Sequence, residues 1–120
     1  MPNPFGVPEI TVRAVEAKRQ AGEAFILLDV REPHELVIAA IVDERVLTMP
    51  LSDLAQRFMG AVPATLQADK ECEVVVFCHH GMRSAQVAAW LIQQGWVNTV
   101  NMTGGIAAWA SQIDPTMATY

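Results

Sequence analysis

Seven consecutive residues, Cys78-His-His-Gly-Met-Arg-Ser84, place a thiol, two imidazoles, a turn-forming glycine, a guanidinium and a hydroxyl within one short stretch of this 120-residue chain. A cysteine attacks as its thiolate, and that form is favoured at helix N-termini and beside cations. Gly81 permits a tight turn and Arg83 opens a helical pattern. The stretch therefore predicts a loop whose backbone N–H groups curl inward, with the Cys78 sulfur at its floor and a partial positive charge added by the helix start. Such a cradle suits an anion. A cysteine after Val-Val-Val-Phe is more often an inert core residue, but an inert residue has no use for an anion-binding turn behind it. Cys78 is accordingly read as a nucleophile.

The elements that must position this loop are legible on either side. Glu73-Val-Val-Val-Phe-Cys78 and Ala24-Phe-Ile-Leu-Leu-Asp-Val30 are apolar runs too short for helices and without polar alternation, as expected of strands covered on both faces of a parallel sheet. Glu9 to Val12, Arg45 to Met49 and Thr99 to Asn101 are shorter strand candidates. Helical patterns occupy Arg13 to Gln20, Pro33 to Ala40, Leu51 to Met59, Arg83 to Gln94 and Gly105 to Ser111. In the fourth, Val87, Trp90 and Leu91 share a face and Gly95 stops the helix. Strands alternating with helices at this spacing indicate an α/β layered fold with helices on both faces of the sheet. Cys78 then lies at the carboxyl edge, where open α/β folds bind ligands.

Composition narrows the function classes. Hydrophobic residues make up 52% and charged residues 18%, enough for one core and too few residues for two. A lead-in over residues 1–8, one domain over 9–112 and a tail over 113–120 are expected. The formal net charge of -5 disfavours nucleic acid and acidic membranes as partners. No stretch approaches the roughly 18 apolar residues of a membrane helix, and the start lacks secretory features, so a cytoplasmic protein is expected. Cys72 and Cys78, about 20 Å apart along a strand at roughly 3.3 Å per residue, cannot form a disulfide, which requires Cα atoms within roughly 7 Å. Two unpaired thiols fit a reducing compartment.

The loop Cys-x-x-Gly-x-Arg-Ser, with Leu28-Asp-Val-Arg-Glu32 ahead of it and Gly104-Gly-Ile-Ala-Ala-Trp109 behind, resembles the rhodanese-like family of sulfurtransferases over about Ile10 to Trp109. The resemblance implies a three-layer α/β fold with about five parallel strands flanked by helices on both faces. It implies an enzyme that moves a sulfane sulfur from a donor such as thiosulfate to cyanide or a thiol, through a persulfide on Cys78. The N–H groups of His79, His80, Gly81, Met82 and Arg83 would hold that persulfide, and Arg83 would close the loop and favour anionic donors. Asp29, Arg31 and Ser84 would support the loop. Asp29 could instead cap the helix after Pro33, with Arg31 in a surface ion pair.

The resemblance leaves the acceptor open between a small thiophile and the thiol of another protein. Related cysteine phosphatases place five residues between Cys and Arg, whereas four intervene here; the smaller ring suits a persulfide sulfur better than phosphate or arsenate. Sulfur transfer therefore ranks above phosphatase or arsenate reductase activity. The Cys-His-His run has no second ligand pair at usable spacing and His34 stands alone, so no metal is expected, and no cofactor or stable oligomer is implied. One imidazole of His79 and His80 is expected at the pocket mouth, against plain exposure of both. The stretch Ala39-Ala-Ile41 replaces a Gly-His-Ile found in many family members.

Overall fold

The computed structural model describes residues 3–120; Met1 and Pro2 of the expected lead-in lie outside the described residues. Five strands form one wholly parallel sheet: β1 (Glu9–Ile10), β2 (Ile26–Asp29), β3 (Val46–Thr48), β4 (Val74–Phe77) and β5 (Thr99–Met102), in the order β1-β5-β4-β2-β3. Six α-helices accompany them: α1 (Val12–Gln20), α2 (Pro33–Ile38), α3 (Leu51–Arg57), α4 (Ala64–Gln67), α5 (Met82–Gln93) and α6 (Gly105–Gln112). The five-stranded parallel α/β architecture expected from the sequence is the one observed.

Strand pleating explains why the apolar runs show no polar alternation. Val74, Val76 and Cys78 point into one core with Leu28, Leu54, Leu66, Val87 and Leu91. Val75 and Phe77 point the other way, into a second core with Leu27, Val15, Ile106 and Trp109. Each face of β4 thus has its own helical cover: α3, α4 and α5 on one side, α1 and α6 on the other. Alternate residues are buried equally, because both sides of the pleat are inside.

Several boundaries differ from the sequence reading. The first strand is two residues long, because Thr11 caps α1 by accepting from the Ala14 N–H at 3.1 Å and Val12 already belongs to the helix. The helix expected to run to Met59 ends at Arg57 and tightens into a 3-10 turn over Phe58–Ala61, with Phe58 at a φ of 49°. Helix α4 follows Pro63 and had no expectation attached to it; at four residues it carries too little periodicity to be seen. Order also begins before Glu9: the Asn3 side chain accepts from the Val7 N–H and donates to the Val7 carbonyl, seating Val7 in the core.

Candidate functional site

Register decides which residues meet at the carboxyl edge. Asp29 pairs with Phe77, and Leu28 with Val76, so Asp29 closes β2 level with the last residue of the central strand β4. On the other side Asn101 of β5 pairs with Val76. Cys78 follows Phe77 directly, and Gly81 is the N-terminal cap of α5 with φ 110°, a left-handed conformation that glycine adopts without strain. Strand end, turn and helix start are arranged as the spacing of Cys78, Gly81 and Arg83 implies.

Two main-chain N–H groups donate to the sulfur, and the Ser84 hydroxyl lies beside it with its proton given to Asn101. The Gly81 N–H lies 3.1 Å from Cys78 Sγ, the Ser84 N–H 3.4 Å and the Ser84 hydroxyl 3.3 Å. The expected cradle of N–H groups from residues 79–83 is therefore narrower at the sulfur itself, with Gly81 and Ser84 as its donors. Cys78 is 1% exposed, as deep as any core cysteine and deeper than an open pocket floor. Its polar surroundings distinguish it from an inert one: two N–H donors at one sulfur stabilise negative charge there, and an apolar cysteine site offers none.

The loop is fixed from behind by bonds to its carbonyls. The Ile106 N–H donates to the Cys78 carbonyl at 2.8 Å, the Ala107 N–H to that of His79 at 3.0 Å, and Asn101 Nδ2 to that of Gly81 at 3.0 Å. In a trans peptide the carbonyl and the next N–H point in opposite directions, so the N–H groups of His79 and His80 turn away from α6. Asn101 is itself oriented by donating to Glu9, and its carbonyl oxygen accepts from the buried Ser84 hydroxyl. Gly105 makes the close approach possible: a Cβ there would stand 2.5 Å from the Cys78 carbonyl oxygen. Asn101 and Gly105 were absent from the sequence-based site. A glycine pair opening a helix behind the Cys78 loop was visible, but its partner in space was not.

Around the rim the charged groups pair with one another. Asp29 accepts from the Arg31 N–H, Nε and Nη2, and both side chains are buried, at 1% and 0% exposure. Asp29 thus neither caps α2 nor bonds the loop, and Arg31 is no surface residue; Glu32 caps α2, in a reciprocal pair with Glu35. Burial works against the Arg31 charge, but the bonds from Asp29 and Tyr120 outweigh it and hold its pKa above the usual value. Arg83 gives Nη1 and Nη2 to the two oxygens of Glu35, at 2.6 and 2.8 Å. That pair pulls the Glu35 carboxyl down to about 2 and pushes Arg83 upward. Glu35 was not foreseen, because 48 residues separate it from Arg83.

The rings of His79 and His80 lie side by side. Their ring centroids are 3.8 Å apart, and the Tyr120 ring stacks on the other side of His79 at 3.8 Å and 9°. Burial, with the neighbouring His80, lowers the His79 pKa below its usual 6.5, so His79 is neutral at neutral pH and forms a wall rather than a cation. His80 and Met82 are exposed. The expected tail is anchored: Met117 packs on the second core, and the Tyr120 hydroxyl donates to Glu35 at 2.8 Å while accepting from Arg31 at 3.0 Å. Among the described residues no cluster of three or more His, Cys, Asp or Glu side chains could hold a metal ion, and no helix is long and apolar enough to cross a membrane.

Comparison with known proteins agrees with this geometry. A curated relative, the chloroplastic "Rhodanese-like/PpiC domain-containing protein 12" of Arabidopsis thaliana, is 39% identical over 94 residues, 78% of this chain and 30% of that one; this chain thus spans under a third of that protein. A "Sulfurtransferase" of Allochromatium vinosum is 34% identical over 93% of this chain and 96% of its own length. The solved structure of the human single-domain sulfurtransferase TSTD1 superposes with a TM-score of 0.70 at 26% identity, covering 89% of this chain and 98% of that one. Residues 11–112 match the family profile described as "Rhodanese-like domain", and the chain belongs to that family.

Proposed function

We propose that the protein is a sulfurtransferase that carries a sulfane sulfur as a persulfide on Cys78. The observation that carries the reading is the pair of main-chain N–H donors, from Gly81 and Ser84, at a single sulfur at the start of α5. The Cys78 thiolate attacks the outer sulfur of a donor such as thiosulfate, a new S–S bond forms at Sγ, and sulfite leaves with the electron pair of the old bond. A thiophile, cyanide or a thiol, then takes the sulfur and returns the thiolate. The persulfide places the transferable sulfur about 2 Å beyond Sγ, nearer the rim formed by His79, His80 and Met82. Inward N–H groups of residues 79–83 hold the negative charge of that outer sulfur. Ser84 holds the loop through Asn101, Asp29 and Arg31 support its rim through Tyr120 and Glu35, and no metal or cofactor takes part.

Relatives named for sulfur transfer support this reading. The test is to incubate the protein with thiosulfate and weigh it intact. One added sulfur mass, removed by cyanide or dithiothreitol and absent in Cys78→Ser, is the expected result, with ping-pong kinetics. A chain that gains no sulfur defeats the proposal.

A second reading makes the acceptor a protein thiol rather than a small molecule. Met82, 58% exposed at the mouth of the loop, supports it, since a soft apolar side chain adapts to varied partner surfaces. Faster sulfur transfer to a protein thiol than to free thiols would favour this version. The four-residue spacing between Cys78 and Arg83 keeps phosphate and arsenate chemistry behind both. A cytoplasmic monomer that binds neither nucleic acid nor membrane is part of the same proposal.

A further inference from the structure

Two guanidinium groups stand beside the Cys78 loop, and each is matched by a carboxylate. Arg31 is held by Asp29 and Arg83 by both oxygens of Glu35, so the four formal charges cancel. Tyr120 locks this arrangement, since its hydroxyl donates to Glu35 and accepts from Arg31 while its ring lies flat on His79. His79 itself is neutral near pH 7, kept so by burial and by His80. Attraction for an anion then rests on the N–H groups and the start of α5, whose partial charge is roughly half an elementary unit.

Such a site discriminates by charge. Thiosulfate must bring two negative charges out of water to within bonding distance of a sulfur that is itself anionic as it attacks. The hydropersulfide of a thiol, RSSH, brings one at most. We propose that Glu35, held in place by Tyr120, sets donor specificity: by occupying Arg83 it favours the persulfide of a thiol over dianionic thiosulfate. This rests on the sulfurtransferase reading and narrows it. In the favoured step the Cys78 thiolate attacks the outer sulfur of RSSH, the Sγ–S bond forms as the RS–S bond breaks, and RS departs with the electron pair and takes up the proton. The products are the Cys78 persulfide anion and RSH, with no net oxidation.

Glu35 and Tyr120 touch neither the sulfur nor the donor in this scheme, so they are positioning residues and the test must separate donors. Single-turnover loading of Cys78, followed by intact mass, is compared for thiosulfate and for the persulfide of 2-mercaptoethanol, whose organic part is uncharged. Wild-type protein should load faster from the persulfide. Glu35→Gln, which releases Arg83, should raise the thiosulfate rate about tenfold at low salt, mainly through tighter donor binding, and the gain should fade as salt is added. The persulfide rate should change less than about twofold. Removing the released cation in Glu35→Gln/Arg83→Gln should erase the gain. Tyr120→Phe, at a site 39% exposed, keeps the ring and removes the hydroxyl; it should give a smaller rise of the same kind and serves if Glu35→Gln fails to fold. Equal changes for both donors, or a wild-type preference for thiosulfate, overturns the specificity proposal alone. No adduct from either donor overturns it together with the sulfurtransferase reading.

Discussion

The two cysteines bracket the same strand and meet opposite surroundings. Cys78 leaves the carboxyl end of β4 and receives hydrogen bonds from the Gly81 and Ser84 N–H groups. Cys72, before the amino end of β4, is half-buried and donates its S–H to the Asp69 carbonyl at 3.1 Å. Burial, reinforced by the Asp69 carboxylate, raises the Cys72 pKa above its usual 9.0. A parallel sheet generates this polarity: helix N-termini gather at the edge where strands end, and helix C-termini with their carbonyls at the other. The same side chain is offered donors at one end and acceptors at the other.

The sharpest way to break this contrast is to exchange which thiol is present. Cys78→Ser should abolish sulfur loading, and Cys72→Ser should leave the loading rate within about twofold of wild type; intact mass after thiosulfate treatment checks both. If Cys72 loads instead, the polarity argument fails. Next in size are two glycines at positive φ, one at each edge. Gly105→Ala drives a Cβ into the Cys78 and His79 carbonyls, at 2.5 and 2.6 Å, and should cost more than about 3 kcal/mol in urea unfolding. Gly22→Ala, with nothing within 4 Å, should cost only the backbone strain of about 1 kcal/mol.

Acid should unpick the carboxyl edge through Glu35. Its folded pKa of about 2 lies below the ordinary 4.5, so its stabilisation is fully present above 4.5 and is lost as pH falls toward 2. The contribution is at most about 3 kcal/mol. Unfolding free energies between pH 6 and pH 2 should fall more steeply for wild type than for Glu35→Gln, and parallel curves would count against the pairing. The smallest effect belongs to the other edge: Asp69→Asn removes the nearby charge and should speed alkylation of Cys72 at pH 8 by about two- to threefold, leaving alkylation of Cys78 untouched.

Much of the fold could be read from periodicity, because runs such as Glu73 to Cys78 are apolar throughout only when both faces are covered. Within the site, Cys78, Gly81 and Ser84 were legible since one short loop holds them in order. Glu35, Asn101, Gly105 and Tyr120 were not. Each reaches the loop from another element, and a side chain that meets its partner across dozens of residues leaves no local pattern. The close approach of the His79 and His80 rings, at 3.8 Å and 31°, was not legible either, because the Tyr120 ring that stacks on His79 comes from the far end of the chain. Arg83 was foreseen as an anion receptor, and only the fold shows its charge already spent on Glu35.

The carbonyls of Cys78, His79 and Gly81 are fastened by the start of α6 and by Asn101, and this bears on how portable the motif is. Transplanting the seven-residue stretch into an unrelated strand-to-helix turn would transfer the nucleophile without its scaffold, since nothing there would stop the peptide planes from rotating. A workable graft needs a second helix arriving from behind, opened by a residue with no side chain, and an amide side chain from the adjacent strand.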